Sequence, residues 1–477
     1  MKFIDKYNNM AVQAKASIWY TICNFFQKGI SLIVVPFYVR LLTTAEYGEW
    51  SVFQSWRDIL IIFASLNLYC GVYTKTLVDN KDDRDRYTSC MQGLGTIISV
   101  SLFVLYWLTH EWCNKMLELD TPVMILLFAY FIFHPAFAFW TTRQRVEYKY
   151  IQMVVVTIIM TILTPLVSVL LVKYTDLRAK GLILGFLIVH CSIGAFFYVL
   201  HFIRGRCFFH KAYWKYAVKF NIPLIPHYLS LIVLNQSDRI MIKYYCGESD
   251  AGIYSFAYQI SSAITVLTSA INGSRVPWTY EQLRDKVYGG LKKITNALVL
   301  MIGVITLIVT LLSPEIIKVM GTADYQVAVY VIPIVTLGVY FTFIYDLYSS
   351  IEFYYSATHY VMYASIIGAV LNIILNAIFI PKYGFIAAAY TTLFCYFIFM
   401  FMHYFFATKV LRKEGINDAV YDTKTIVLLS MILSGTCFLS ILTYKHTLVR
   451  YAFLAVLLIC CIFKKETIKK LLKTIKR

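Results

Sequence analysis

Long apolar runs, each near 20 residues, follow one another along the whole 477-residue chain with short polar breaks between them. A membrane-spanning α-helix needs about 20 mostly apolar residues at 1.5 Å per residue. Fourteen spanning helices are predicted, at roughly 14–38, 50–72, 88–109, 121–141, 151–172, 180–203, 217–243, 251–274, 292–313, 325–348, 360–380, 385–408, 424–444 and 447–463. The runs are continuous rather than alternating, which argues against a transmembrane barrel. No break exceeds about 17 residues, too few for an extramembrane enzyme domain. The expected fold class is therefore all-α, a polytopic membrane protein.

Composition agrees. Hydrophobic residues make up 59% and charged residues 15%, against about a quarter charged in soluble chains. The net charge of +18 would fit nucleic acid if it were spread over a soluble domain. Its placement points elsewhere. With the N-terminus inside, the cytoplasmic segments hold about three times as many Lys and Arg as the outer loops. That bias fixes orientation in membrane proteins, so both termini are expected in the cytoplasm and no nucleic-acid partner is expected. The basic tail 464–477 is expected on the anionic inner leaflet or as a topology anchor. Lys2 and Lys6 precede an apolar stretch that is too long, and too interrupted by Lys28, for a cleaved signal peptide. The 11 cysteines are scattered without metal-ligand spacing, and Cys23, Cys191, Cys395 and Cys460 lie in apolar stretches. Most read as small buried apolar residues. No metal, cofactor or catalytic residue is expected.

Two short patterns recur at nearly one offset, 204 and 203 residues. Glu46-Tyr47-Gly48-Glu49-Trp50-Ser51 is echoed by Asp250-Ala251-Gly252-Ile253-Tyr254-Ser255. Lys180-Gly181-Leu182-Ile183 is echoed by Tyr383-Gly384-Phe385-Ile386. The matches predict two pseudo-repeated six-helix lobes in parallel orientation, plus two extra C-terminal helices. The expected division is 1–210, 211–410 and 411–477.

Polar residues inside spanning helices face a bundle interior or a water-filled cavity. Asn24, Gln27, Lys28 and Ser31 share one face of the first helix, and Gln54, Arg57 and Asp58 one face of the second. Asn235, Asp238 and Arg239 lie together on the seventh. Tyr258, Ser261, Thr265, Thr268 and Asn272 form a stripe on the eighth, Asp346 lies in the tenth, and Glu352 in the loop after it. Such Ser, Thr and Asn stripes either join helices through hydrogen bonds or line a pathway. Arg57–Asp58 and Asp238–Arg239 are each either a self-compensating pair or part of a site. Lys28 has no acidic neighbour on its own helix. Lys28, Arg57 and Arg239 are the candidate cations for an anionic ligand, because Arg offers a planar fork of donors and Lys a mobile point charge to pyrophosphate. Asn24, Gln27, Ser31, Gln54, Tyr258, Ser261, Thr265 and Asn272 are the candidate polar lining for sugar hydroxyls. Asp58, Asp238, Asp346 and Glu352 are the candidate groups for ion coupling, by H⁺ or Na⁺.

Several motifs, in order, carry a family resemblance. They are Pro36-Phe37-Tyr38-Val39-Arg40-Leu41-Leu42 leading to Glu46-Tyr47-Gly48, Ile222-Pro223-Leu224-Ile225-Pro226-His227, and Asp238-Arg239. Ala251-Gly252-Ile253-Tyr254-Ser255 and Leu371-Asn372-Ile373-Ile374-Leu375-Asn376 before Pro381-Lys382-Tyr383-Gly384 complete the set. The chain resembles the O-antigen (polysaccharide) flippases of the multidrug/oligosaccharidyl-lipid/polysaccharide (MOP) exporter superfamily. The resemblance implies two lobes around a central cavity. It also implies that an undecaprenyl-pyrophosphate-linked oligosaccharide is moved across the bacterial inner membrane by alternating access. Other polysaccharide-assembly proteins and membrane lipid are then the expected partners. The extra helix pair resembles that of the lipid II flippase branch, where it extends a lipid groove. A multidrug antiporter of the same superfamily is a rival reading, and one that would favour acidic residues in the lobes. A membrane polysaccharide polymerase fits less well, because it would need a large outer loop.

Overall fold

The computed structural model describes residues 7, 10–79, 81–416 and 419–463. Among them are eighteen α-helices and no strand. In order they are α1 (Val12–Leu41), α2 (Thr44–Ser65), α3 (Val72–Asp79), α4 (Arg84–Leu108), α5 (His110–Leu117) and α6 (Thr121–Val146). Next come α7 (Tyr150–Tyr174), α8 (Arg178–Gly205), α9 (Lys211–Asn221), α10 (Ile225–Cys246), α11 (Glu248–Arg284) and α12 (Tyr288–Leu311). The last are α13 (Ser313–Met320), α14 (Ile332–Tyr354), α15 (Thr358–Tyr383), α16 (Ile386–Lys413), α17 (Thr423–Leu442) and α18 (Thr447–Phe463). Eleven helical segments are long and apolar enough to cross a membrane, so this is a multi-pass membrane protein. The other three predicted spans, α2, α11 and α18, are helical too, but are not among those eleven. The basic tail, Lys2, Lys6 and the side chain of Cys460 lie outside the described residues.

Local chemistry moves several boundaries. Thr43 caps α2, its hydroxyl accepting from the Glu46 amide while the Glu46 carboxylate accepts from the Thr43 amide. This reciprocal box starts the helix six residues before the apolar run. Arg57 is therefore about 20 Å along α2, deeper than its place in the run suggests. At the other end Leu66 and Asn67 turn left-handed and stop the helix. Pro223 and Pro226 split the predicted seventh segment into α9, a 3₁₀ turn at Ile222–Leu224, and α10, since proline lacks the amide a continuing helix needs. Pro333 sits in the first turn of α14, where its missing amide costs nothing. The helix begins there and runs on to Tyr354, so Glu352 is helical and buried rather than in a loop. Likewise α11 runs ten residues beyond the predicted end at 274, and Arg275 lies within it.

The chain divides into two compact units, 1–236 and 237–477. In the first, α8 is the hub, packed on α6, α7, α4 and α2, while α1 lies along α7. The α7–α8 approach uses the small-xxx-small spacing of Gly181 and Gly185; a Cβ added at Gly185 would lie 2.5 Å from the Cα of Ser168. In the second, α14 is the hub, packed on α16, α11, α12, α17 and α15, with most of its residues buried. Within each unit the same pattern recurs, α6 and α7 on α8 in one, α14 and α15 on α16 in the other. Cys90 of α4 is disulfide-bonded to Cys207, just after α8, a pairing the cysteine spacing did not disclose. Cys23 and Cys395 are buried and unbonded, and Cys191 is half-buried.

Candidate functional site

In the first unit the polar groups converge on Arg57. Its guanidinium donates to Oδ1 of Asp58 through Nε at 2.9 Å and Nη2 at 2.6 Å. The second carboxylate oxygen accepts from Nε2 of Gln236 on α10 at 3.1 Å, and Gln236 Oε1 accepts from Ser55 at 3.2 Å. The guanidinium lies 4.6 Å from the ring centroid of Phe186 on α8, a cation–π contact. Behind Phe186 runs an aromatic wall. His190 stacks on Phe186 at 3.9 Å, Tyr130 stacks on His134 at 4.6 Å, and Trp50 meets Phe186 edge-on at 5.9 Å. Arg57 is thus held flat against an apolar surface by an ion pair with a 13% exposed cation and a 30% exposed anion. Any anion reaching this guanidinium would have to displace or share Asp58. Gln54 lies half-buried one turn before this pair. On α1, Asn24, Lys28 and Ser31 are exposed and Gln27 is half-buried.

The second unit holds three polar clusters. Asp238, fully buried on α10, accepts from the Tyr254 hydroxyl at 2.5 Å, the Thr392 hydroxyl at 2.7 Å and the Asn376 amide at 2.7 Å. Asn372 extends the network, accepting from Ser237 at 2.8 Å and donating to Thr392 at 3.0 Å, and Thr391 donates to Asn376. Both asparagines are fully buried. The result is a carboxylate ringed by hydroxyl and amide N–H donors contributed by α11, α15 and α16. Beside it, Arg239 sits 4.6 Å over the ring of Tyr258, whose hydroxyl is 3.2 Å from that of Tyr396.

The α11 stripe divides by role. Ser261 donates to the carbonyls of Ala257 and Ile332 and accepts from Thr336 at 3.0 Å, stitching α11 to α14. Thr265 and Thr268 donate to carbonyls of their own helix. Asn272 instead reaches Asp346, donating at 2.9 Å. It accepts in turn from Arg275, which also donates to the Asp346 carbonyl at 3.2 Å and to Ser350 at 3.3 Å. Arg275 is 2% exposed. Sequence reasoning assigned it to a loop, although it continues the stripe three residues past Asn272. The third cluster is Glu352 with His403 of α16, both fully buried, the ring Nδ1 3.0 and 3.1 Å from the two carboxylate oxygens. His403 carried no motif; only its place opposite Glu352 gives it meaning. A groove of about 460 Å³ runs between α12, α17 and α18, lined by Leu307, Leu311, Leu439, Leu442, Phe453 and Val456.

With this geometry in hand, comparison with known proteins places the chain. Residues 14–282 match the family model described as "Polysaccharide biosynthesis protein", and residues 223–378 match that of MatE. Two Haemophilus influenzae proteins are related. "Lsg locus putative protein 1" is 23% identical over 279 residues, covering 57% of this chain and 67% of its own length. An "Uncharacterized membrane protein" is 25% identical over 320 residues, covering 63% and 74%. In fold the chain is similar to "Lipid II flippase MurJ, inward closed conformation", with a TM-score of 0.71 at 17% identity over 94% of this chain and 100% of that one. It is also similar to an inward-facing multidrug resistance MATE family transporter of the MOP superfamily, with a TM-score of 0.60 at 11% identity over 81% and 96%. The chain thus has the polytopic fold of these MOP-superfamily transporters and of the lipid II flippase. By sequence the chain belongs to the polysaccharide biosynthesis protein family, whose model covers more than half of it.

Proposed function

We propose that the chain flips an undecaprenyl-pyrophosphate-linked oligosaccharide, a surface polysaccharide repeat unit, across the bacterial inner membrane by alternating access. Both termini then face the cytoplasm. The observation that carries the reading is Arg57, held on the Phe186 wall about 20 Å along α2 and paired with the carboxylate of Asp58. In a family tied to polysaccharide biosynthesis, a desolvated Arg of this kind suits a pyrophosphate, which offers two oxygens to the guanidinium fork. Lys28 and Arg239 supply further cations, and Asn24, Gln27, Ser31, Gln54 and Tyr258 supply hydrogen bonds for sugar hydroxyls. No catalytic chemistry is needed. Coupling to a cation gradient falls to the acidic groups Asp58, Asp238, Asp346 and Glu352. Asp238 already accepts three hydrogen bonds, so a cation there would have to take the place of those donors, whereas the other carboxylates suit protons.

A second reading, a lipid II-type flippase, is favoured by one observation. The groove between α12, α17 and α18 is lined almost wholly by apolar side chains, a surface that suits part of an isoprenoid chain. Both readings share the pyrophosphate and differ in the sugar. The multidrug reading draws on the MatE match and predicts transport of organic cations instead. The test is translocation in liposomes carrying the purified protein, with fluorescent polyprenyl-pyrophosphate lipids bearing either sugar. Protein-dependent movement of the repeat-unit lipid supports the proposal. Movement of lipid II alone supports the second reading, and export of small cations without lipid movement removes both.

A further inference from the structure

Glu352 and His403 call for an explanation beyond packing. Both side chains are 0% exposed. Burying an ion pair costs several kcal/mol per ion, and an apolar pair of the same volume is often at least as stable. The pair is therefore poorly explained as a stabilising device. Its two nitrogens also differ. Nδ1 is engaged by the carboxylate, while buried Nε2 meets no hydrogen-bond partner. Tyr345 stacks on the ring at 5.3 Å and Phe399 meets it edge-on at 4.6 Å, so the ring is held in place with one nitrogen open.

Resting on the flippase reading, we propose that Glu352–His403 is the proton-binding site of the second unit, the place where a driving proton is loaded and released. The empty form is a carboxylate accepting from Nδ1–H of neutral imidazole. A proton arriving at Nε2 converts it to imidazolium beside carboxylate, and release is the reverse from the same nitrogen. No other bond changes. The surroundings favour one proton. The titratable groups around the pair are Asp346 and Tyr345 on α14, Arg275 on α11, His359 at the start of α15, Tyr404 on α16 and Tyr421 ahead of α17. Arg275 and Asp346 balance each other, so the buried set is formally neutral with one proton on the pair and carries −1 without it. A lone buried charge is strongly disfavoured. Loading thus suits a closed, dry state, and release suits one in which this end of α14 meets water. Predicted topology places that end on the cytoplasmic side.

The test uses Glu352→Gln/His403→Asn, which keeps an amide pair able to hydrogen-bond and avoids orphaning one buried charge. Two measurements are made on full-length protein. In liposomes containing a pH-sensitive dye, wild type is expected to couple lipid movement to proton movement. The double variant is expected to translocate down the lipid gradient with no response to a pH gradient. Equal responses to the pH gradient, or a wild type that answers to sodium alone, overturn the proposal. The second measurement needs no substrate: titration of purified protein in nanodiscs between mildly alkaline and mildly acid pH. Wild type is expected to take up one more proton per chain than the double variant. Equal uptake overturns the pair as a proton site, even if the lipid assay shows that the flippase reading itself has failed.

Discussion

Replacing Asp238 with alanine orphans three buried donors at once, the Tyr254 and Thr392 hydroxyls and the Asn376 amide. Each buried donor without a partner costs about 1–3 kcal/mol, which sets a gross loss of roughly 3–9 kcal/mol. The variant also no longer buries a carboxylate, and that relief returns several kcal/mol. The net destabilisation expected is about 2–4 kcal/mol. Asp238→Asn keeps the volume and one acceptor oxygen, and the two hydroxyls can rotate to accept from the new amide. The retained oxygen then keeps accepting from the Asn376 amide, while both hydroxyls lose the acceptor for their own protons, so a loss of about 1–2 kcal/mol is expected. Thermal and denaturant unfolding of the detergent-solubilised protein should rank wild type above Asp238→Asn above Asp238→Ala. An alanine variant as stable as wild type, or more stable than the asparagine variant, would refute the claim that this network is a satisfied structural core.

Further predictions follow from packing, charge and capping. Gly185→Ala should force α7 and α8 apart, because its Cβ would meet Ser168 backbone at 2.5 and 2.6 Å; a loss of about 1–3 kcal/mol in the same unfolding assay is expected, with Gly435→Ala, where nothing lies within 4 Å, as the neutral control. Arg275→Leu removes three hydrogen bonds, taking the donor from the Asn272 and Ser350 side-chain oxygens and from the Asp346 carbonyl; it should cost about 2–4 kcal/mol, and an unchanged midpoint would show that this arginine is dispensable. Asp422 caps α17, accepting from the Thr425 amide and hydroxyl, and its carboxyl is held below the usual carboxylate range chiefly by hydrogen bonds from Thr425 and Asn296. A lowered folded value means its contribution is complete above about pH 4 and is lost as pH falls through that lower value. The stability gap between wild type and Asp422→Asn should therefore close in acid, and a gap independent of pH would contradict the cap.

The all-helical membrane class was legible because spanning helices announce themselves by length and hydropathy, and each of the fourteen predicted segments is helical in the structure. Boundaries were less so. The capping box at Thr43 and Glu46 begins α2 ahead of its apolar run, and α11 carries polar residues through Arg284; hydropathy is blind to both. Site residues were legible one helix at a time. Arg57 and Asp58 are neighbours in sequence, so their pairing was visible. What lies opposite them, Phe186 and Gln236, is set by packing over more than 120 residues of separation. Glu352 with His403, and Cys90 with Cys207, are similarly long-range, and single residues of those types carry no periodic signal. The α11 stripe shows the opposite limit. Its period was correct, yet Ser261 joins helices while Asn272 reaches an acid.

The central claim is that Arg57 receives the pyrophosphate of a lipid-linked oligosaccharide. The direct measurement is translocation by wild type, Arg57→Lys and Arg57→Gln in liposomes, using two fluorescent lipids with the same sugar, one linked through pyrophosphate and one through a neutral spacer. The account predicts that wild type strongly prefers the pyrophosphate lipid, that Arg57→Lys retains part of the preference, and that Arg57→Gln loses it while remaining folded. An Arg57→Gln protein that moves the pyrophosphate lipid as selectively as wild type would contradict it.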